Sequence, residues 1–450
     1  MKQKKSVLSL IPYEKREEGF DEWYRDVCYC GGMVDFHPSH GCYVMRDTSM
    51  EIWDTLKVFF EREMKRMNVK KCHLPKESSD VRNSLYPYFS KWIRVASDLP
   101  LKYNQWLYAT RSEMSNPIPF IRSREFLWQE GHSAFATRKE AYLEVNNVMD
   151  IYCRIYEELL AIPVLTGRKS EDDSGLFSST LQVFIPETGR CVQGAYSNCL
   201  GQSFAKQFNI CFEKAIGVDS LVWQNSWSFS SAAIGLMIMV HGDDKGLVLP
   251  PNVAPVQAVI IPLATQGVDQ RVRDACAAAA IILELAGIRT QVDSLGDIPL
   301  SIKHAHWEQK GIPLRILLGD SEIASNTFLI ARRDNGSTIS VPRDNLGERV
   351  ALLLKKVQKS LFKVARSKSS ASVQSVETWE EFVDAIESGK LVFAPWCDEQ
   401  QVERDINERT YGLAKPVCTP YDQPLLPMGT LCFATGRLAK TWTYWSFSEG

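Results

Sequence analysis

No stretch of this 450-residue sequence approaches the ~20 consecutive apolar residues of a transmembrane helix, which argues against a membrane protein. An excess of either charge is also missing. With 52 Lys and Arg against 54 Asp and Glu, the formal net charge is -2, which excludes a uniformly basic nucleic-acid coat but leaves room for a local basic patch. The twelve cysteines stand singly, as at Cys42, Cys72, Cys153, Cys211 and Cys276, apart from Cys28-x-Cys30. That excludes a disulfide framework, and without a second pair Cys28 and Cys30 lack half the ligands of a closed zinc site. Met1 to Glu18 is Lys-rich but contains Glu14, Glu17 and Glu18, so it resembles neither a secretory signal nor an acid-poor transit peptide, and a cytoplasmic address is the default expectation. No internal repeat is visible. What remains is 45% hydrophobic and 24% charged, the balance of a soluble globular protein whose length calls for two to four domains.

The organisation follows from periodicity. Between Ser49 and Met67, Ile52, Leu56, Phe59, Phe60 and Met64 recur at three and four residues, which predicts an amphipathic helix. Glu140 to Ala161 repeats the pattern through Val145, Met149, Tyr152, Ile155, Tyr156 and Leu159. Strands are expected at Asn104–Thr110, Pro119–Trp128 and Cys191–Gln193. Beyond Pro250-Pro251 strand and helix alternate: strands at Val256–Leu263, Arg289–Val292, Pro313–Leu318 and Phe328–Arg332, helices at Arg271–Leu285 and Leu346–Val364. Arg366–Gln374, RSKSSASVQ, is a linker by composition.

The segment FIRSREFLWQEGHSAFAT at Phe120–Thr137 resembles the second signature motif of class II aminoacyl-tRNA synthetases in its prolyl form, of the archaeal and eukaryotic type. The likeness continues through GRKSE at Gly167–Glu171, CVQGAYSNCLGQSFAK at Cys191–Lys206, NSWSFSSAAIG at Asn225–Gly235, MVHGDDKGLVLPP at Met239–Pro251 and HWEQKGIPLR at His306–Arg315. The resemblance implies an α/β fold in the broad α+β sense. Its parts are a class II antiparallel sheet flanked by helices over residues 1–252, an α/β anticodon-binding domain over 253–365, a linker at 366–375 and a small C-terminal α/β domain over 376–450.

In that family proline is activated by ATP and transferred to tRNA, and both steps develop charge on phosphate that fixed cations stabilise. By resemblance, Arg111 and Glu113 match the Arg and acid that hold the α-phosphate and amino acid. Arg122 matches a loop Arg on the triphosphate, Phe126 the ring that stacks on adenine, and Gln193 a residue near the ribose. Trp128, Glu130 and His132 match the walls of the amino-acid pocket. Four other positions depart from the pattern. Ala232 stands in place of the third-motif Arg, Arg82 in place of an acid that clamps the substrate's imino group, and Tyr196 and Asn198 in place of a pocket Thr and His. Roughly forty family residues between Pro75 and Glu77 have no counterpart.

The C-terminal domain departs as well. Cys397 and Cys432 fall on two of four family zinc positions, while Val402 and Thr435 occupy the others, so no metal is expected. In the anticodon-binding domain Glu308 and Arg315 match residues that read the G bases of proline anticodons, and Glu322 stands where an Asp is usual. These losses predict a non-catalytic paralogue that binds tRNA, proline tRNA being the candidate, or a partner protein as a regulator or scaffold, as a homodimer or within a protein complex, with no cofactor. A working proline–tRNA ligase using ATP and Mg, and an adenylating enzyme with another substrate, are the alternatives.

Overall fold

The computed structural model describes residues 15, 19–73, 81–111, 115–169, 177–263, 269–296 and 298–447. The first amphipathic pattern forms the helix Asp47–Arg66, which buries Ile52, Leu56, Phe59, Phe60 and Met64. Phe60 stacks on Tyr152 with ring centroids 5.6 Å apart, joining this helix to a second one, Arg138–Arg154. Thr137 caps the second helix. Its Oγ1 accepts from the Glu140 N–H, and the Glu140 carboxylate accepts in return from the Thr137 N–H at 3.0 Å, two otherwise unpaired donors satisfied reciprocally.

Both helices cover one face of an eleven-stranded sheet. Its order is Val373–Ser375, Leu391–Trp396, Thr441–Phe447, Ala414–Pro420, Leu165–Lys169, Phe177–Ile185, Arg190–Gly201, Trp223–Ser230, Glu125–Phe135, Leu101–Thr110 and Lys70–Lys71. All neighbours run antiparallel except the outermost pair at each end. Three of the four strands at the C-terminal end belong to the last domain and the fourth, Val373–Ser375, leads into it, so the small domain and the large one share a single sheet. The join lies where Thr419 and Pro420 pair with Arg168 and Gly167. Gly167 is required there, because a Cβ would sit 2.3 Å from the Thr419 carbonyl oxygen.

A separate five-stranded sheet, ordered Thr290–Val292, Ala258–Pro262, Leu314–Leu318, Thr327–Arg332 and Thr338–Pro342, builds the second region. The helices Gln270–Leu285 and Leu346–Ala371 pack their apolar stripes on it.

Three expectations need correction. The strand expected at Pro119–Trp128 runs instead over Glu125–Phe135, because Pro117 and Pro119 and the left-handed Phe120, at φ 62°, turn the chain before it can pair. The strand expected at Cys191–Gln193 extends over Arg190–Gly201. The linker at 366–375 is not one. The closing helix continues to Ala371 and Val373–Ser375 joins the sheet. Lys, Arg and Ala favour helix and Ser disfavours it only mildly, while Leu361 and Ala365 keep the helix anchored on its buried face.

Candidate active site

Alternation along Glu125–Phe135 divides its side chains between two environments. Leu127, Gln129, Gly131 and Ser133 are buried toward the helices. Gln129 donates to Asn104 Oδ1 at 2.6 Å and accepts from the Tyr152 hydroxyl at 2.7 Å, and Gly131 leaves room for Trp227, which a Cβ would meet at 2.1 Å. Phe126, Trp128, Glu130 and His132 therefore line the opposite face. Register places Glu130 beside Ser228, which is beside Tyr196, and His132 beside Ser226, which is beside Asn198. Four of the residues singled out in the sequence are thus brought into two adjacent rows.

These rows form a closed polar network with aromatic walls. His132 Nε2 meets Glu130 Oε1 at 2.9 Å, and its Nδ1 meets the Tyr86 hydroxyl at 3.0 Å. Trp128 Nε1 donates to Glu130 Oε2 at 3.3 Å, and its ring lies 6.3 Å from that of Tyr196. Arg82 holds its guanidinium 4.9 Å from the Phe204 ring, which in turn packs on Tyr86. Tyr86 therefore stands between the ring that Arg82 covers and His132. Asn198 Oδ1 and Ser228 Oγ are buried on this face without a hydrogen-bond partner among the described residues.

At the other end of the face the site opens. A cavity of about 420 Å³ is bounded by Arg111, Arg122, Arg190 and Gln193, by Asp21, and by Lys415 and Phe447 of the C-terminal domain. Gln193 reaches it through a β-bulge: Leu181 pairs with Ala195 but Gln182 pairs with Gln193, leaving Gly194 as the extra residue. Arg111 spreads its guanidinium 4.6 Å above the Phe126 ring and donates to the Ile121 carbonyl at 3.3 Å. Partial desolvation of this largely exposed side chain, with the neighbouring Arg122 charge adding to it, pulls the Arg111 pKa below its ordinary value, as befits a cluster of cations facing a common space. Ala232 opens the helix Ala232–His241, its N–H donating to Ser230 Oγ at 3.2 Å, and brings no charge. Met239, two turns on, reaches the cavity wall. Glu113 lies outside the described residues.

Glu308 and Arg315, which the resemblance assigns to the anticodon, are linked back to the segment that follows this helix. Arg315 Nη2 donates to Glu308 Oε1 at 3.2 Å, Lys245 bridges the same oxygen at 3.3 Å, and Arg333 grips Asp243 through both Nη atoms at 2.7 and 2.5 Å while its Nε donates to the Glu308 carbonyl. The Arg315 side chain is only 6% exposed, so it is presented from within the domain rather than from its surface. Glu322 caps its own short helix, accepting from the Gly319 N–H at 3.0 Å. In the last domain Cys397 and Cys432 lie in one apolar cluster with Val402 and Phe433, and desolvation, with the neighbouring Cys432 adding to it, pushes the Cys397 thiol up to about 12. No group of three or more metal-binding side chains occurs among the described residues.

Arg190 and Lys415 were not legible as site residues in the sequence. Arg190 immediately precedes the quoted motif, but Lys415 is more than 200 positions away from it and arrives only through the shared sheet.

An antiparallel sheet bearing Phe126, with Arg111 and Arg122 in the connection beside it and a separate α/β region following, has the architecture of a class II aminoacyl-tRNA synthetase core. Residues 81–222 match the model of the tRNA synthetase class II core domain (G, H, P, S and T), 257–352 the anticodon binding domain, and 379–448 the prolyl-tRNA synthetase C-terminal domain. The chain belongs to the prolyl-tRNA synthetase family. It is 47% identical to the cytoplasmic proline–tRNA ligase of Arabidopsis thaliana over 96% of its own length and 90% of the relative's. A proline–tRNA ligase of Encephalitozoon cuniculi is 34% identical over 90% of this chain and 93% of its own. The Cryptosporidium parvum prolyl-tRNA synthetase complexed with L-proline and AMP superposes with a TM-score of 0.94 at 37% identity, covering 99% of this chain and all of that one. The Arabidopsis alignment spans 478 positions, more than the 450 residues here, so that relative carries residues with no counterpart in this chain.

Proposed function

We propose that this chain is a proline–tRNA ligase that activates proline with ATP and passes it to tRNA. The observation that carries this reading is the cavity that gathers Arg111, Arg122 and Gln193, the residues assigned by resemblance to the nucleotide, in a chain whose whole length matches proline–tRNA ligases. Arg111 and Arg122 are placed to neutralise the phosphate charge that grows as the carboxylate attacks. Such preorganised donors contribute about 3–4 kcal/mol each in well-studied sites. Glu130, fixed by Trp128 and His132, supplies a carboxylate oriented for the substrate's imino nitrogen. The anticodon-binding domain delivers the tRNA through Glu308 and Arg315. ATP and Mg are the expected co-substrate and ion, and the similarity to the cytoplasmic Arabidopsis protein supports a cytoplasmic location.

A second reading, a tRNA-binding paralogue without catalysis, is favoured by one specific observation: Ala232 offers a methyl group where the family has an Arg, and Tyr196 fills space beside Trp128. Proline-dependent ATP–pyrophosphate exchange on the purified chain decides between them. The ligase reading expects exchange well above a no-proline control. Background exchange from a chain that still binds proline tRNA would replace it with the second reading.

A further inference from the structure

Three of the cavity's four cations come from the catalytic domain, but the fourth does not. Lys415 stands on the strand Ala414–Pro420 of the C-terminal domain, where it pairs with Ser446 on Thr441–Phe447. The next residue of that strand, Phe447, donates its N–H to the Gly189 carbonyl at 3.1 Å, pairs with Arg190 and places its ring 5.7 Å from the Arg190 guanidinium. The same strand pair thus positions an aromatic ring against Arg190 and a lysine on the rim beside it. The close approach of the two domains is built in, since Gly189 and Gly389 meet where a Cβ on Gly189 would lie 2.7 Å from the other's Cα.

We infer that Lys415 is a nucleotide-binding residue supplied in trans-domain fashion, its ammonium engaging the β- and γ-phosphates of ATP together with Arg122 and Arg190. Among the described residues four cations and one acid, Asp21, line the cavity, a balance suited to a polyanion, and its volume lies within the range of small-molecule sites. The position that supplies a cation from the third motif in the family is Ala232 here, so the triphosphate needs charge from elsewhere, and Lys415 lines the same cavity as Arg111 and Arg122. A lysine suits this role as a compact charge on a flexible stem, holding a mobile terminal phosphate without fork geometry. This assignment rests on the reading of the cavity as the ATP site.

The test uses the full chain and three probes: ATP, AMP and inorganic triphosphate, each titrated by calorimetry, with the ATP KM of exchange measured in parallel. Lys415→Ala is expected to weaken ATP and triphosphate about tenfold, the scale of one lost charge-assisted hydrogen bond, while AMP affinity stays within twofold. Lys415→Arg should restore most of the loss. An unchanged thermal midpoint confirms that Lys415→Ala is folded, and Lys415→Gln serves if it is not. ATP binding unaltered by loss of the charge overturns the assignment, as does a parent chain that binds neither ATP nor triphosphate. If triphosphate binding depends on Lys415 but no exchange is seen, the inference stands and the ligase reading falls. If exchange proceeds with an ATP KM indifferent to Lys415, the reverse holds.

Discussion

The two ends of the site face differ in what fills them. At one end Arg111, Arg122, Arg190 and Lys415 surround an open cavity, while at the other Tyr86, Trp128, Glu130, His132 and Tyr196 are tied together by their own hydrogen bonds and ring contacts. Like charges repel, which favours keeping the first end open. Aromatic and hydrogen-bonding groups satisfy each other, so the second closes on itself. Substitution in such a pair of half-sites therefore has unequal consequences: a lost cation leaves charge to be found elsewhere, and an enlarged ring takes room from the ligand.

The largest effect should come from the open end. Arg111→Ala removes the guanidinium stacked on Phe126 and is expected to lower exchange about 10²–10³-fold, with thermal stability little changed because the side chain is exposed. A loss of less than tenfold would mean that the cavity's other cations already carry the phosphate.

Acid should next separate the two ends. His241 closes the helix whose Met239 lines the cavity, and its Nε2 donates to the Leu160 carbonyl at 2.8 Å. Burial pulls its pKa down to about 4, with the nearby Lys15 and Lys368 charges acting in the same direction and the Leu160 and Ala161 carbonyls opposing. The folded chain therefore binds fewer protons than the unfolded one between pH 6.5 and 4, and stability falls as pH falls through that window. The loss from this group is up to about 3 kcal/mol, measurable by urea unfolding at pH 7 and 4.5. His241→Gln should flatten the dependence. Hydrogen exchange across the same window should quicken in Ala232–His241 before Glu125–Phe135; simultaneous loosening would erase the distinction.

The smallest effect belongs to the closed end. Tyr196→Thr relieves the crowding beside Trp128 and should lower the proline KM about tenfold, in line with the 1–3 kcal/mol scale of overpacking, while the ATP KM stays constant. A shift in the ATP KM of the same size would show that the ends are not independent.

How much of this was legible in the sequence depended on distance along the chain. The 3.6-residue spacing of Ile52, Leu56, Phe59 and Met64 marked a helix because the buried stripe is a local property. The row Trp128, Glu130, His132 was visible through the motif alone, because the strand was expected to end at Trp128, whereas alternation along Glu125–Phe135 is what puts the three on one face. The helix through Ser369 and Ser370 was missed because composition suggested a linker, whereas burial of Leu361 and Ala365 and the reach of Lys368 to Glu187 at 4.0 Å hold it in place. Lys415 was out of reach for a different reason. Its neighbourhood is made by pairing between segments some 250 residues apart, and no local pattern encodes that.

The shared sheet also bears on truncation. Residues 376–450 read as a detachable module, yet taking them away would strip the partner strand from Leu165–Lys169 and leave its outward N–H and C=O groups bare along the new border. Unsatisfied borders of this kind invite other chains to pair, so the shortened protein would be prone to aggregate rather than survive as a smaller soluble core.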